Sequence, residues 1–134
     1  VVYQPRPIEG AQTLFLAVSL ADVQHVINTS FKELPPVDPS QSTFNPACTL
    51  AYAKQIASWN ARNKQCGFAG FVLAFDLPKE LTSQFKEHTV GSRDHRELWV
   101  DADFIEEFNE CLIGKVRVVQ SFYGEKYDGP KLSF

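Results

Sequence analysis

The stretch Gly67–Leu77, GFAGFVLAFDL, constrains this chain more than any other. Its inner run Phe68–Phe75 is apolar with no helical period, so it predicts a central strand, with Gly67 and Gly70 bracketing its start. The flanking sequence predicts elements to pack around it. Thr13–Val18 (TLFLAV) is a short apolar run and reads as a buried strand. Ser19, with Asp22 three residues on, marks a helix start: the hydroxyl satisfies an orphan N–H and the acid suits the positive helix end. Val23, Val26 and Ile27 then share one amphipathic face, to about Asn28. Thr49 is the expected N-cap of a second helix, Leu50 to about Arg62, with Ala53, Ile56, Ala57 and Trp59 on its apolar repeat.

Phe31–Leu34 reads as a short strand, Pro35–Ser40 as a loop that cannot continue it, and Ser42–Phe44 as a short extended piece. Pro78 predicts a short helix to about Phe85, because the N–H that proline lacks is not needed in a first turn. Thr89–Val90 and Glu97–Val100 read as strands on either side of the polar turn Gly91–His95. Asp101 is the expected cap of a helix with Phe104, Ile105, Phe108 and Leu112 on one face, ended by Gly114. Lys115–Tyr123, with Val116, Val118 and Val119, reads as a long strand. Residues 1–11 form an irregular arm and 124–134 a tail, and the whole of 1–134 reads as one domain. Only some connections have crossover length, so the expected class is α+β: a mixed, mostly antiparallel sheet with helices packed on it.

The totals narrow the function classes. With 134 residues, 44% hydrophobic and 22% charged, the chain is long enough to bury a core and too apolar to be disordered by composition. The formal charge is −3 with no basic stripe, which disfavours nucleic-acid binding. No run approaches the roughly 20 apolar residues that span a bilayer, so no membrane partner is expected. VVYQPRPIEG lacks the apolar centre of a signal peptide. There is no Met, so residue 1 is not expected to be the native start. Cys48, Cys66 and Cys111 are odd in number and widely spaced, which predicts no disulfide framework and no zinc site. Small buried or half-buried thiols in a reducing compartment are the expectation, with a Cys48–Cys66 bridge the alternative in a secreted protein.

GxGxxG, GxxxxGK[ST], HExxH and CxxC are all absent, so neither a phosphate cradle nor a metal site is expected. The histidines are His25, His88 and His95. His25 falls on the second face of its helix and is expected to be solvated. His88 and His95 flank one turn and, with Arg93, Asp94 and Glu97, form the densest ionisable cluster in the chain. That cluster reads either as a solvated turn laced by salt bridges, or as a site where Glu97, at a strand mouth, is a catalytic or ligand-gripping carboxylate.

TLFLAVSLADVQHVINTSF resembles the opening of ADP-ribosyltransferase-like domains, a strand followed by a Ser-capped helix. STFNPACTLAYAKQIASW is similar to that family's second strand and Ala-rich helix. GFVLAFDLPKELTSQF resembles the strand and short helix after it. ELWVDADFIEEFNECLIGKVRVVQSF resembles the closing part of several bacterial members, where a Glu leads a strand, a helix follows and a last strand closes the sheet. The resemblance spans about 13–123. It implies an ADP-ribosyltransferase-like fold that takes NAD as substrate in a cleft between strands. Glu97 would then be the catalytic carboxylate, stabilising the oxocarbenium-like centre as nicotinamide leaves. Ser42, Thr43 and Phe44 would match the second-strand motif of the cofactor site, with His95 two residues before the Glu. The first-strand His position is Leu16 and its Gly is Ala17, so one grip on NAD is missing and would have to come from Arg6 or His95. The implied activity is NAD-dependent ADP-ribosyl transfer or NAD glycohydrolysis. The alternative is a non-catalytic domain of that fold that binds a protein or a small ligand, with the Pro-rich loop 35–39 and the aromatics Phe122, Tyr123, Tyr127 and Phe134 as contact surfaces. Those aromatics also read as core packing and tail anchors. A polar pocket joining Glu97 to a cation would favour the enzyme; a pocket filled by Leu16 and aromatics would favour the binding domain.

Overall fold

β3 (Ala69–Pro78) runs through the middle of the molecule, as its unbroken apolar run predicts, and pairs antiparallel with β1 (Ala11–Val18) on one side and β7 (Arg117–Tyr123) on the other. The computed structural model describes residues 9–91 and 95–134. Between these strands lie α1 (Leu20–Asn28), β2 (Thr43–Phe44), α2 (Leu50–Asn60), α3 (Lys79–Thr82), β4 (Glu87–Thr89), β5 (Arg96–Leu98), β6 (Val100–Asp101) and α4 (Ile105–Cys111).

A strand sends successive side chains to opposite faces, so β3 needs cover on both. Phe71, Leu73, Phe75 and Leu77 join Leu14 and Val18 of β1 on one face, where Val23 and Val26 of α1 and Phe108 of α4 pack over them. Val72 and Ala74 join Phe15 on the other face, under Tyr52, Ala53 and Ala57 of α2. Small residues let α2 lie almost on the sheet. A Cβ on Gly70 would sit 1.9 Å from the Ala57 carbonyl oxygen, and one on Gly124 would sit 1.9 Å from that of Ala61.

The sheet continues past β1 through a single residue. Ala47 bridges Phe15 on one side and Glu97 on the other, both antiparallel. The Phe15 N–H donates to the Ala47 carbonyl at 2.9 Å, and Leu98 and Cys48 exchange bonds with Pro46 and Arg96 at 2.9 and 2.8 Å. The strand order is therefore β7-β3-β1, then the segment 46–48, then β5 and β4. β2 and β6 extend the two inner members through Thr43–Asp101 and Phe44–Val100. Every pairing among the described residues is antiparallel, and the class is α+β.

Several boundaries differ from the sequence reading. Phe31–Leu34 is not a strand. Ser30 and Phe31 take left-handed backbone (φ 59 and 63) and donate back to Ile27 and Val26, so they close α1 as a C-terminal cap and turn Phe31 into the core. β1 begins at Ala11, where an arm was expected, and residues 1–8 lie outside the described residues, Arg6 among them. α2 ends at Asn60 rather than Arg62, and α3 stops at Thr82 rather than Phe85. Asp101 makes no side-chain cap; it ends β6, and a 3-10 turn at Ala102–Phe104 leads into α4. His25 is half-buried rather than solvated. All three cysteines are free. The tail folds back on β7: the Leu132 N–H donates to the Tyr123 hydroxyl at 2.8 Å, and the Tyr123 and Tyr127 rings lie 4.8 Å apart. No helix among the described residues is long and apolar enough to cross a membrane.

Candidate functional site

Alternation along β5 and β6 turns Leu98 and Val100 into the core and sends Glu97 and Trp99 the other way, toward α2. Glu97 is 8% exposed. Three side chains from three segments donate to it. The Tyr52 hydroxyl of α2 reaches Oε1 at 2.8 Å. Asn45 Nδ2 and Trp99 Nε1 reach Oε2 at 2.6 and 3.0 Å. Thr49 fixes Tyr52 by capping α2, its hydroxyl accepting from the Tyr52 N–H. All three donors are neutral, and among the described residues Glu97 makes no ion pair. A carboxylate offers about four lone-pair positions, so one is left unclaimed. Burial, reinforced by the hydrogen bond to Glu97 and its charge, pushes the Tyr52 hydroxyl up to about 12, so Tyr52 remains a donor at neutral pH.

Two ring stacks flank the carboxylate. His95 stacks on Tyr52 with centroids 4.8 Å apart and planes 22° apart. His88 lies on Trp99 at 3.6 Å and 7°, and the indole keeps 53% of its surface in solvent. Cys48, the nearby thiol, is no nucleophile at neutral pH. Burial pushes it up to about 12, the negative charge of Glu87 adding to the effect.

Beside this cluster the sheet splits. β1 and β2 diverge beyond the Phe15–Ala47 bridge and leave an open groove of about 1200 Å³. Leu16, Ala17 and Ser19 line one wall and Ser42–Asn45 the other, and the loop 35–40 bounds it. Asn45 belongs to both places, lining the groove and donating to Glu97. The charged residues lining the groove are Asp22 and Asp38, and no described cation lines it. Asp38 is held below the usual carboxylate range by the backbone N–H and hydroxyl of Ser40.

The structure thus brings Ser42, Thr43 and Phe44 to the groove together with Leu16 and Ala17. Ser42 and Thr43 are exposed there. Phe44 is 8% exposed, with its ring edge-on to Phe108 at 5.3 Å, so it is a core residue rather than a free stacking surface. Glu97 does not line the groove; it lies behind Asn45, with His95 against Tyr52. Arg93 and Asp94 lie outside the described residues, and the turn's ion pair seen here is Arg96–Glu87 at 3.6 Å.

No protein-family model, curated protein or solved structure matches this chain.

Sequence reasoning missed Asn45, Tyr52 and Trp99. Trp99 was within reach of the period-two rule from Glu97. Tyr52 was within reach of the helical repeat, one residue before Ala53. Asn45 carries no local signal, because its role depends on the bridge at Ala47. Among the described residues no group of His, Cys, Asp or Glu is placed to hold a metal ion.

Proposed function

We propose that this chain binds NAD in the groove between β1 and β2 and cleaves its nicotinamide–ribose bond with Glu97, passing ADP-ribose to an acceptor or to water. The reading is carried by Glu97, a nearly buried carboxylate oriented by three neutral donors, without an ion-pair partner among the described residues, and linked to the groove through Asn45. A fixed negative charge of that kind stabilises positive charge developing nearby. As the C–N bond breaks, its electron pair leaves with nicotinamide and the ribose carbon becomes cationic. Water attack on that carbon then gives ADP-ribose and releases one proton. Because Asn45 both lines the groove and donates to Oε2, a ribose hydroxyl that displaces it would reach Glu97 in its place.

A second reading has its own observation. Leu16 offers no donor, and the groove lining holds two carboxylates and no described cation, a poor match for the pyrophosphate of NAD. This favours a non-catalytic domain that takes a neutral or cationic ligand in the same groove.

Titration with NAD to millimolar concentration, followed by thermal shift and by nicotinamide release, separates the two. The first reading expects release, cut roughly 10²–10³-fold by Glu97→Gln with the circular dichroism spectrum unchanged. Absence of both shift and release eliminates it in favour of the second. Full activity in Glu97→Gln would show that another carboxylate does the chemistry.

A further inference from the structure

A second cavity lies at the C-terminal end of α2 against the end of β7. Its volume is about 500 Å³, within the range of small-molecule sites. It shares no lining residue with the groove and includes none of Asn45, Tyr52, Glu97 or Trp99. Phe68, Phe122 and Tyr123 supply ring surface; Arg62, Lys126 and Ser58 supply polar groups.

Two features mark it as more than a surface crevice. The first is backbone strain at Phe68, whose φ is 57. A bulky residue rarely adopts that left-handed conformation, and such outliers gather at binding sites. It is held by two bonds: the Phe68 N–H donates to Asn63 at 3.1 Å, and its carbonyl accepts from the Gly124 N–H at 2.9 Å. The second is charge. Arg62 and Lys126 have no carboxylate partner among the described residues, and the Lys126 ammonium stands 6.0 Å from the Phe68 ring centroid. Glu125, also on the lining, offsets one of the two positive charges and leaves a net attraction for an anion.

We propose that this cavity binds a small planar aromatic molecule bearing one anionic group. The ring meets the aromatic wall. The anion meets the guanidinium fork of Arg62, which suits carboxylate and phosphate, with the Lys126 ammonium adding a point charge.

The test uses 2-naphthoate, its neutral isostere 2-naphthamide, and acetate, each titrated into the full chain and followed by amide NMR shifts and calorimetry. Naphthoate is expected to shift the Phe68 and Gly124 amides and to bind roughly tenfold tighter than naphthamide, the ratio of one charge-assisted contact; acetate is expected to leave the spectrum unmoved. The double variant Arg62→Gln/Lys126→Gln is expected to bring naphthoate down to the naphthamide level. Phe68→Gly, whose backbone suits the left-handed conformation and so preserves the fold, is expected to lose both aromatic probes. Glu97→Gln is expected to bind naphthoate as the parent does. Equal affinity for naphthoate and naphthamide, no shift at Phe68 and Gly124 at millimolar naphthoate, or unchanged binding in the double variant would each overturn the proposal.

Discussion

Replacing Gly70 by alanine adds one methyl group to a strand that has no room for it. The new carbon would lie 1.9 Å from the Ala57 carbonyl oxygen and 3.0 Å from its Cα, where ordinary contact begins at 3.4 Å. Both neighbours are backbone atoms, so neither swings aside; α2 must retreat by the difference between 3.4 and 1.9 Å, about 1.5 Å. Overpacking of this kind costs about 1–3 kcal/mol. The retreat also carries Tyr52 away from Glu97 and stretches the 2.8 Å bond past its useful length, which adds about 1.5–3 kcal/mol for a hydrogen bond to a charged group. The expected total is about 4 kcal/mol, or roughly 15 °C in melting temperature for a chain of this size. Urea unfolding and a thermal scan measure it. Gly10→Ala is the control: nothing lies within 4 Å of its Cβ, and its φ of +77 alone sets the cost, about 1–2 kcal/mol. A Gly70→Ala loss no larger than that of Gly10→Ala would refute the claim that α2 rides on this glycine.

Tyr52→Phe removes one donor from Glu97 and is expected to destabilise by about 1.5–3 kcal/mol in urea unfolding, without the helix shift of Gly70→Ala. The Tyr52 hydroxyl, near 10 in an unfolded chain and about 12 here, contributes stability that is whole below pH 10 and lost as pH rises toward 12; a base titration should therefore fall more steeply for the parent than for Tyr52→Phe. Cys48, raised from 9.0 to about 12, should alkylate at pH 8 roughly three orders of magnitude more slowly than in the denatured chain, as read by mass spectrometry with iodoacetamide. Asp76 is 5% exposed and held by Thr13 at 2.5 Å and by Arg117 at 2.8 and 3.3 Å. Asp76→Ala is expected to cost about 3 kcal/mol, the low end for a buried pair because Arg117 keeps solvent contact.

What was legible in the sequence follows the range of the forces involved. β3, α1 and α2 declare themselves because apolar run length, periodicity and hydroxyl caps act within a few residues, and Ser19 and Thr49 sit where the caps were expected. Phe31 misled because it is apolar and flanked by polar residues, yet its backbone is set by the left-handed closure of α1. Glu97 could be singled out by the ionisable cluster around it, although it is the middle residue of β5 and not at the strand mouth where it was expected. Its surroundings could not, because Asn45, Tyr52 and Trp99 converge only through pairings between residues far apart in sequence. The groove lining holds no described cation, and of the two groups named for the missing grip Arg6 lies outside the described residues while His95 stacks on Tyr52.

Among the described pairings the Phe15–Ala47 bridge alone joins the three long strands to the outer part of the sheet. β7, β3 and β1 share long ladders, so the amides of β3, paired on both sides, are expected to exchange with deuterium only on global opening. The outer strip of β5 and β4 meets β1 across a seam one rung wide and is otherwise anchored by Leu98 in the core, so it is expected to open at a lower free energy than β3 and to carry Glu97 with it. A ligand touching both Ser19 and Ser42 would act as a stitch across that seam, and its arrival would be recorded as slower exchange in β4 and β5 while β3 stays silent.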